Sequence, residues 1–319
     1  MLNFAQGSLN PTLTNYAKAI RQDMKKNRLA DFIAPLVTVP TGTGNYKKFS
    51  DLNAFTVPAN AALPPSGEPI IVDFGIFSAA YNCIAQGLEA RVTKQELDYI
   101  RLSGNDPLMI QQTKINEVID QALLVHENDV YNAIATGAPA SSTLVAGLGN
   151  WSSASVDPTA EIDQLIQAMT QNMGDMPNRI VLDIASYQKW RNNPNTIKRH
   201  AYGTTMEGVT SATLIGYTIN PQLQIRVGTV VKSSAKVNAG ESRKNAFMGA
   251  GKLYMFFGND APTTADKSAF KTFVTTSSNI EGVISYTSAN TLYEGHIVYW
   301  SRDIQSPNAT YGSVALTIT

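Results

Sequence analysis

DPLMIQQTKINEVIDQALLVHENDVYNAIATG, Asp106–Gly137, carries the longest regular pattern in the chain. Asp106 is a good N-cap, and Pro107 fits the first helical turn. Ile115, Val118, Ile119, Ala122, Val125, His126, Val130, Ala133 and Ile134 recur at three- and four-residue steps. Gly137 closes the run. The spacing predicts one helix over 106–136, roughly 45 Å long at ~1.5 Å per residue. Its packing face is expected to be Ile115, Val118, Ile119, Ala122, Val125, Val130 and Ile134. One apolar stripe calls for one covering surface.

Upstream, residues 32–87 read as extended chain rich in Pro and Gly. FIAPLVTVPTGTG (32–44) is a strand-like apolar run, and YKKFSDLNAF (46–55) alternates loosely. TVPANAALPPSGEP (56–69) follows, and Pro58, Pro64, Pro65 and Pro69 exclude it from a central strand. IIVDFGIFSAAYNCIAQGLEARV (70–92) returns as alternating strand, with Val72, Phe74 and Ile76 on one face and Ile71, Asp73 and Gly75 on the other. Strand, stiff tip and returning strand make a long two-stranded projection, which is marginal on its own in water. Arm and helix are therefore expected to lie on neighbouring copies of the chain.

Residues 11–30 read as an amphipathic helix. Its apolar side is Leu13, Tyr16, Ala17, Ile20, Met24 and Leu29; its basic side is Lys18, Arg21, Lys25, Lys26 and Arg28. Downstream of a short helical piece, Lys94 to Leu102, and of the long helix, residues 138–156 read as a loop. Asp157-Pro158 then starts a helix bearing Ile162, Leu165, Ile166, Met169 and Met173 on one face. A buried strand, Arg179 to Leu182, and a short helix, Ile184 to Trp190, follow. The rest reads mostly as strand: 214–220, 224–231, 246–257, 269–275, 283–288, 292–301 and 313–318.

Charged residues are 16% of the 319, against roughly 25% in typical soluble domains. A surface so poor in charge suits a protein largely covered by partners. Lys+Arg and Asp+Glu balance at 25 each, but unevenly along the chain. Residues 1–50 hold seven cations and two carboxylates; residues 51–106 hold three and seven. A basic arm could thus meet an acidic loop of another copy. Cys83 is the single cysteine, so an internal disulfide is excluded, and it is expected to pack as a small hydrophobe. No secretory h-region is read at the N-terminus, and no run approaches 18 apolar residues, so no membrane is expected.

Chemistry-bearing patterns are weak. His126, His200 and His296 lie far apart without metal spacing, and His126 on the apolar stripe reads as a buried, satisfied histidine. Gly42-Thr43-Gly44 lacks the helix and the Lys-Ser/Thr of a phosphate loop. No G-x-S-x-G elbow occurs. Glu89, Glu96 and Asp98 read as solvated or interface charges, and Arg191, Lys198, Arg199 and His200, a cluster that could contact nucleic acid, have no interleaved aromatics beyond Trp190 and Tyr202 in a chain of zero net charge. No catalytic residue, metal or cofactor is assigned, and no enzymatic activity is expected.

The order of these parts resembles the major capsid proteins of tailed bacteriophages, with their Hong Kong 97-like fold. The resemblance is carried by FIAPLVTVPTGTGNYKKF (32–49), SGEPIIVDFGIFSAAYNCIAQGLEARVTKQEL (66–97), DPLMIQQTKINEVIDQALLVHENDVYNAI (106–134) and EIDQLIQAMTQNMGDMPNRIVLDIASYQKWRNNPNTI (161–197). It covers roughly residues 30–310. It implies an α+β chain divided into an N-terminal arm (1–43), an extended loop (44–87) and a peripheral domain with a spine helix (88–156). An α/β axial domain (157–290) and C-terminal strands returning to the peripheral domain (291–319) complete it. It further implies pentamers and hexamers of an icosahedral head around double-stranded DNA, contacted non-specifically, in the virion. Scaffold, portal and decoration proteins would be separate partners. Inter-subunit contacts would fall at Lys47, Lys48, Pro58, Pro64, Pro65, Glu68 and Asp73. An encapsulin-type nanocompartment shell shares the fold and matches the same segments. A soluble α+β enzyme or ligand-binding protein, and a virion tube or decoration protein, are the readings from other classes.

Overall fold

The computed structural model describes residues 7–25, 28–49, 76–104, 106–200, 212–233, 245–277, 279–288 and 292–319. A two-residue strand, β1 (Ser8–Leu9), leads into α1 (Pro11–Met24). Asn10 caps α1 by accepting the Leu13 amide at 3.1 Å, with Pro11 in the first turn. A helical turn α2 (Ala30–Ile33) and strands β2 (Leu36–Thr38), β3 (Thr43–Phe49), β4 (Ile76–Asn82) and β5 (Ile84–Thr93) follow. Phe32 and Ile33, read as strand, thus belong to a helical turn that ends before Pro35.

α3 (Lys94–Leu102) opens on a reciprocal capping box between Thr93 and Glu96. α4 (Pro107–Gly137) starts at the Asp106 cap, whose carboxylate accepts the Leu108 amide at 2.9 Å. α5 (Pro158–Met173) starts the same way from Asp157 and stops at Gly174, which takes the left-handed conformation (φ 74°) that side chains disfavour. Then come β6 (Arg179–Asp183), α6 (Ile184–Asn192), α7 (Pro194–His200), α8 (Ala212–Ile219), β7 (Gln224–Gly228), β8 (Val231–Ser233), β9 (Asn245–Phe247) and β10 (Lys252–Phe256). β11 (Lys271–Val274), β12 (Gly282–Thr287), β13 (Tyr293–Gln305), a turn of helix α9 (Ala309–Gly312) and β14 (Ser313–Thr317) close the chain.

Two sheets organise these elements. The larger runs β1-β12-β13-β11-β2, and β5 pairs along β13 from Thr93 opposite Tyr293 to Ile84 opposite Arg302. The smaller runs β14-β10-β6-β7, with β6 and β7 parallel. β3/β4 and β8/β9 are separate ribbons. The sheets do not divide at residue 290. β11 and β12 join β13, while β14, expected to return to the sheet around the long helix, adds to the sheet of β6 and β10.

Three further elements differ from the sequence reading. Residues 214–220 are helix α8 rather than strand; a short apolar run cannot be assigned from period alone. The stretch 246–257 is two strands, broken at Gly249 and Gly251 in the left-handed region (φ 69° and 70°). α7, after Pro194, had no counterpart in the reading.

α4 runs through two of the three main cores. Its first half packs Ile115, Val118, Ile119, Ala122 and Leu123 against Leu13 and Ala17 of α1 and against Ala90, Val283, Val298 and Trp300 of the larger sheet. Its second half packs Val130, Tyr131 and Ile134 against α2, Phe256, Phe270 and Ala309. The expectation that this helix needs neighbouring copies to cover it is therefore corrected: its own chain supplies the cover. Val125 also leaves the expected face, at 38% exposed. The buried set drifts round the helix, and from His126 onward it includes Glu127, Val130, Tyr131 and Ile134. At about 100° per residue Val125 lies on roughly the opposite side from that set. The third core joins α5, α6 and α8 to the smaller sheet around Trp151, Trp190, Leu182 and Met255.

His126 is buried where α1, α4 and β13 meet, beside Arg21, Arg302, Asn279 and Trp300. It is not the satisfied histidine of the sequence reading, because neither ring nitrogen has a hydrogen-bond partner. Asp31 approaches its Nδ1 at 3.9 Å, and Asp129 holds Arg302 at 3.1 Å. Burial, then the charges of Arg302 and Arg21, push its pKa well below 6.5. The unfolded chain therefore binds the proton first. Stability from this group is full above about pH 6.5 and falls as pH drops from there toward the folded pKa, by about 1.4 kcal/mol per unit. Urea denaturation at pH 7.5 and 5.5 is expected to show that loss in the wild type and a smaller one in His126→Gln. Equal losses in both would remove His126 as the cause.

Candidate assembly surfaces

The root of the β3/β4 ribbon is bound to the body by aromatic stacking. Alternation turns Tyr46 and Tyr81 inward, where both are buried. They sandwich Phe273 of β11, with ring centroids 5.2 and 4.7 Å away and planes 29° and 16° apart. Gly44 lies opposite Tyr81 in the ribbon, and a Cβ there would stand 2.5 Å from the Tyr81 hydroxyl, so the ring needs a glycine beneath it. Cys83, Val37 and Val39 fill the rest of this cluster. The Cys83 thiol has its pKa pushed up to about 11 by burial and then by Asp303 and Glu281, so it packs as the small hydrophobe expected.

Polar ties reinforce the root. The Asn82 amide donates to Asp303 Oδ2 at 2.8 Å, the Cys83 amide to the Gly42 carbonyl at 2.7 Å, and the Lys47 amide to the Thr264 carbonyl at 3.1 Å. Lys47 and Lys48 are exposed on β3, opposite Ser78 and Phe77. Pro58, Pro64, Pro65, Glu68 and Asp73, with the expected loop tip, lie outside the described residues. The structure thus places two of the seven expected contact residues, both at the ribbon's root.

Exposed apolar side chains mark further surfaces that the sequence reading missed. Leu102 and Tyr99 at the end of α3 are 88% and 74% exposed, with Met109 beyond the turn also exposed. Phe77 and Ile84 flank the ribbon root, and Val231 and Phe247 face each other across β8/β9. Their only sequence signal is an apolar residue where the helical or strand alternation expects a polar one.

The cations of the arm are largely matched within the chain. Arg21, read as part of a solvent-facing basic side, is buried near Asp31. Lys25 lies 3.8 Å from Asp31, and Arg28 binds Asp120 at 2.6 Å and lies 3.6 Å from Glu127. Glu89 binds Arg91 at 2.7 Å, Glu96 closes the α3 cap, and Asp98 lies 3.8 Å from Arg101. Arg199 binds Asp157 at 2.7 Å.

Beneath the arm, an open cleft of about 310 Å³ lies between α2, the β6/β7 edge and the loop after β10. Two guanidiniums stand over the Phe32 ring, Arg226 at 4.3 Å and Arg179 at 4.9 Å. Arg179 is buried. It donates to the Phe32 carbonyl at 2.6 Å and to Asp260 at 2.5 Å, while its Nε has no partner. Burial lowers its pKa; Asp260 counters this, and the charge of Arg226 adds to the lowering. Among the described residues, no group of three or more His, Cys, Asp or Glu is placed to hold a metal ion. No helix is long and apolar enough to cross a membrane.

Solved structures share this architecture over nearly the whole chain. A phage-related protein from Bordetella bronchiseptica RB50 superposes with a TM-score of 0.70 at 17% identity, covering 98% of this chain and 97% of that one. The chain has the Hong Kong 97-like capsid fold. The subunit of a virus-like particle from Pyrococcus furiosus is more distant, with a TM-score of 0.52 and 11% identity over 95% of this chain and 99% of that one. No protein-family model and no curated protein matches the sequence. In this capsid fold α4 is the long helix expected as the spine.

Proposed function

We propose that the chain is the major subunit of a closed protein shell, a phage head built of pentamers and hexamers around double-stranded DNA. The observation that carries this reading is the anchored ribbon. Its root is bound into the body by Phe273 and by the Asn82 and Lys47 amides, which donate to Asp303 and Thr264, and 26 residues of sequence separate its two strands. A connection of that length and proline content, read from sequence as a stiff projection, on a firm root suits an interlock with a neighbouring copy. Heterologous contacts of that kind close into rings and shells. The exposed apolar groups on α3, at the ribbon root and on β8/β9 support the same reading, because interface cores favour such residues over charge.

Separate scaffold, portal and decoration proteins belong to the proposal as partners, and the virion as location. The encapsulin-type shell is the second reading, favoured by the likeness to the subunit of a virus-like particle. Nuclease-protected DNA inside purified particles supports the phage head; a protected cargo protein supports the nanocompartment.

Removal of the loop tip, Asn60 to Gly67, tests the interlock. The shortened chain is expected to melt cooperatively within a few degrees of the wild type, yet form no particles by electron microscopy or light scattering. Particles at wild-type yield would show that the loop is no interlock. A wild-type chain that stays a small oligomer, even with added scaffold, would sink the shell reading itself.

A further inference from the structure

We infer that the cleft between Phe32, Arg179 and Arg226 is an oxyanion site that accepts a carboxylate from a second copy of this chain. The charge pattern is the first reason. Arg179 and Arg226 share one aromatic ring, and like charges so placed repel. The carboxylate of Asp260 answers only the first of them directly, from a largely exposed position. Among the described residues, the Arg226 guanidinium stands over Phe32 without a side-chain hydrogen bond or ion pair. A second carboxylate in the cleft would complete a two-guanidinium, two-carboxylate arrangement.

The geometry is the second reason. Arg179 is 3% exposed, and its Nε is a buried donor without a partner on the cleft wall. Leaving such a donor unmatched is costly, which marks this wall of the cleft as short of acceptors. Arg226 lies on β7, in register with Val181, two residues along β6 from Arg179 and on the same face. One strand spacing of ~4.8 Å across and two residues along put their Cα atoms roughly 8 Å apart, and both long side chains converge on the Phe32 ring, within reach of one carboxylate.

The occupant follows from charge. Lys25 and Arg28 on the same wall are matched by Asp31, Asp120 and Glu127. The cleft therefore carries a local, not an extended, excess of positive charge. A nucleic-acid backbone gains affinity from a track of unmatched cations and would meet Asp31 and Asp260 here. A single side-chain carboxylate fits better. Residues 50–75 hold Asp51, Glu68 and Asp73 and no Lys or Arg. The longer run without Lys or Arg, 115–178, has several of its carboxylates on partners in its own chain, Asp120 on Arg28, Asp129 on Arg302, Asp157 on Arg199 and Asp175 on Lys267. The inference rests on the shell reading for the encounter of two copies and names the chemistry of one of their contacts.

Two measurements test it. The first titrates a synthetic peptide of residues 50–75 into purified, unassembled full-length protein by calorimetry. Binding is expected, weakened at least tenfold by Arg226→Glu, and weakened likewise when the peptide carries Glu68→Gln and Asp73→Asn. No binding, or binding indifferent to these changes, overturns the inference. So does double-stranded DNA that binds in an Arg226-dependent way where the peptide does not.

The second measures particle yield. Arg226 is exposed, so Arg226→Glu is expected to keep the wild-type melting temperature while particle yield falls at least tenfold; combining it with Glu68→Arg is expected to recover part of the yield. Wild-type yield from Arg226→Glu alone would overturn the inference and leave the shell reading intact. If the wild type forms no particles, the shell reading fails and the peptide titration alone decides the cleft.

Discussion

Phe273→Ala is expected to lower the unfolding free energy by about 4 kcal/mol, since buried Phe→Ala changes cost about 3–5. Phe273 is fully buried and is the one ring that both Tyr46 and Tyr81 stack on. Its loss removes two aromatic pairs, each worth about 0.5–1.5 kcal/mol beyond area, and leaves a void between two strands. Total stability of a domain is about 5–15 kcal/mol, so the loss is a large share. The damage should also be local. Among the described residues β3 and β4 pair only with each other, and a lone two-stranded ribbon is marginal without docking. Amide exchange at Tyr46–Lys48 and Ala79–Tyr81 is therefore expected to accelerate more than exchange in β10, and particle yield to fall with it. Phe273→Leu, which refills most of the volume, should recover at least half of the stability. A loss below about 1 kcal/mol, or exchange that rises evenly through the molecule, would mean that the ring does not anchor the ribbon.

That anchor could not be read from the sequence. Tyr46 and Tyr81 lie on strands whose alternation is visible, so their inward turn was legible. Phe273 lies far along the chain from both, beyond several intervening helices and strands, and period gives a face without naming what covers it. The same limit explains the sheet assignments. The strands near 271–274, 282–287 and 313–317 were visible as apolar runs, but which sheet each joins depends on pairing, which no local signal carries. By contrast α4 and α5 were legible almost to the residue, because Asp-Pro fixes each start in chemistry local to the chain. The cover over α4 was misread, since length suggested a helix too long for its own chain, whereas α1 and α2 lie along it. Arg179, Arg226 and Phe32 carried no motif; only the parallel pairing of β6 with β7 makes them neighbours.

Lys271→Met is expected to cost about 4 kcal/mol, in the about 3–5 range for breaking one partner out of a buried ion pair. The Lys271 side chain is fully buried. Its ammonium binds Asp266 Oδ1 at 2.8 Å and donates to the carbonyls of Thr263 at 2.9 Å and Asp266 at 2.8 Å, which uses all three donors. Burial lowers its pKa, and the Asp266 carboxylate opposes that shift. Methionine would fill the space but leave Asp266, only 12% exposed, with its hydrogen bonds to Ser268 and the Thr263 amide and no counter-charge. The effect should travel, because this turn carries Thr264, which accepts the Lys47 amide at the ribbon root, and it lies near Asp260, which holds Arg179. Urea denaturation of Lys271→Met, and of the double variant with Asp266→Asn, separates lost charge pairing from lost packing. The double variant is expected to regain at least about 1 kcal/mol, since the uncompensated carboxylate is gone. If the single variant is as stable as the wild type, apolar filling suffices here and the ion pair does not fix the loop. If the double variant regains nothing, the two carbonyl hydrogen bonds, not the pairing of charges, hold the turn that connects the ribbon root to the arginine cleft.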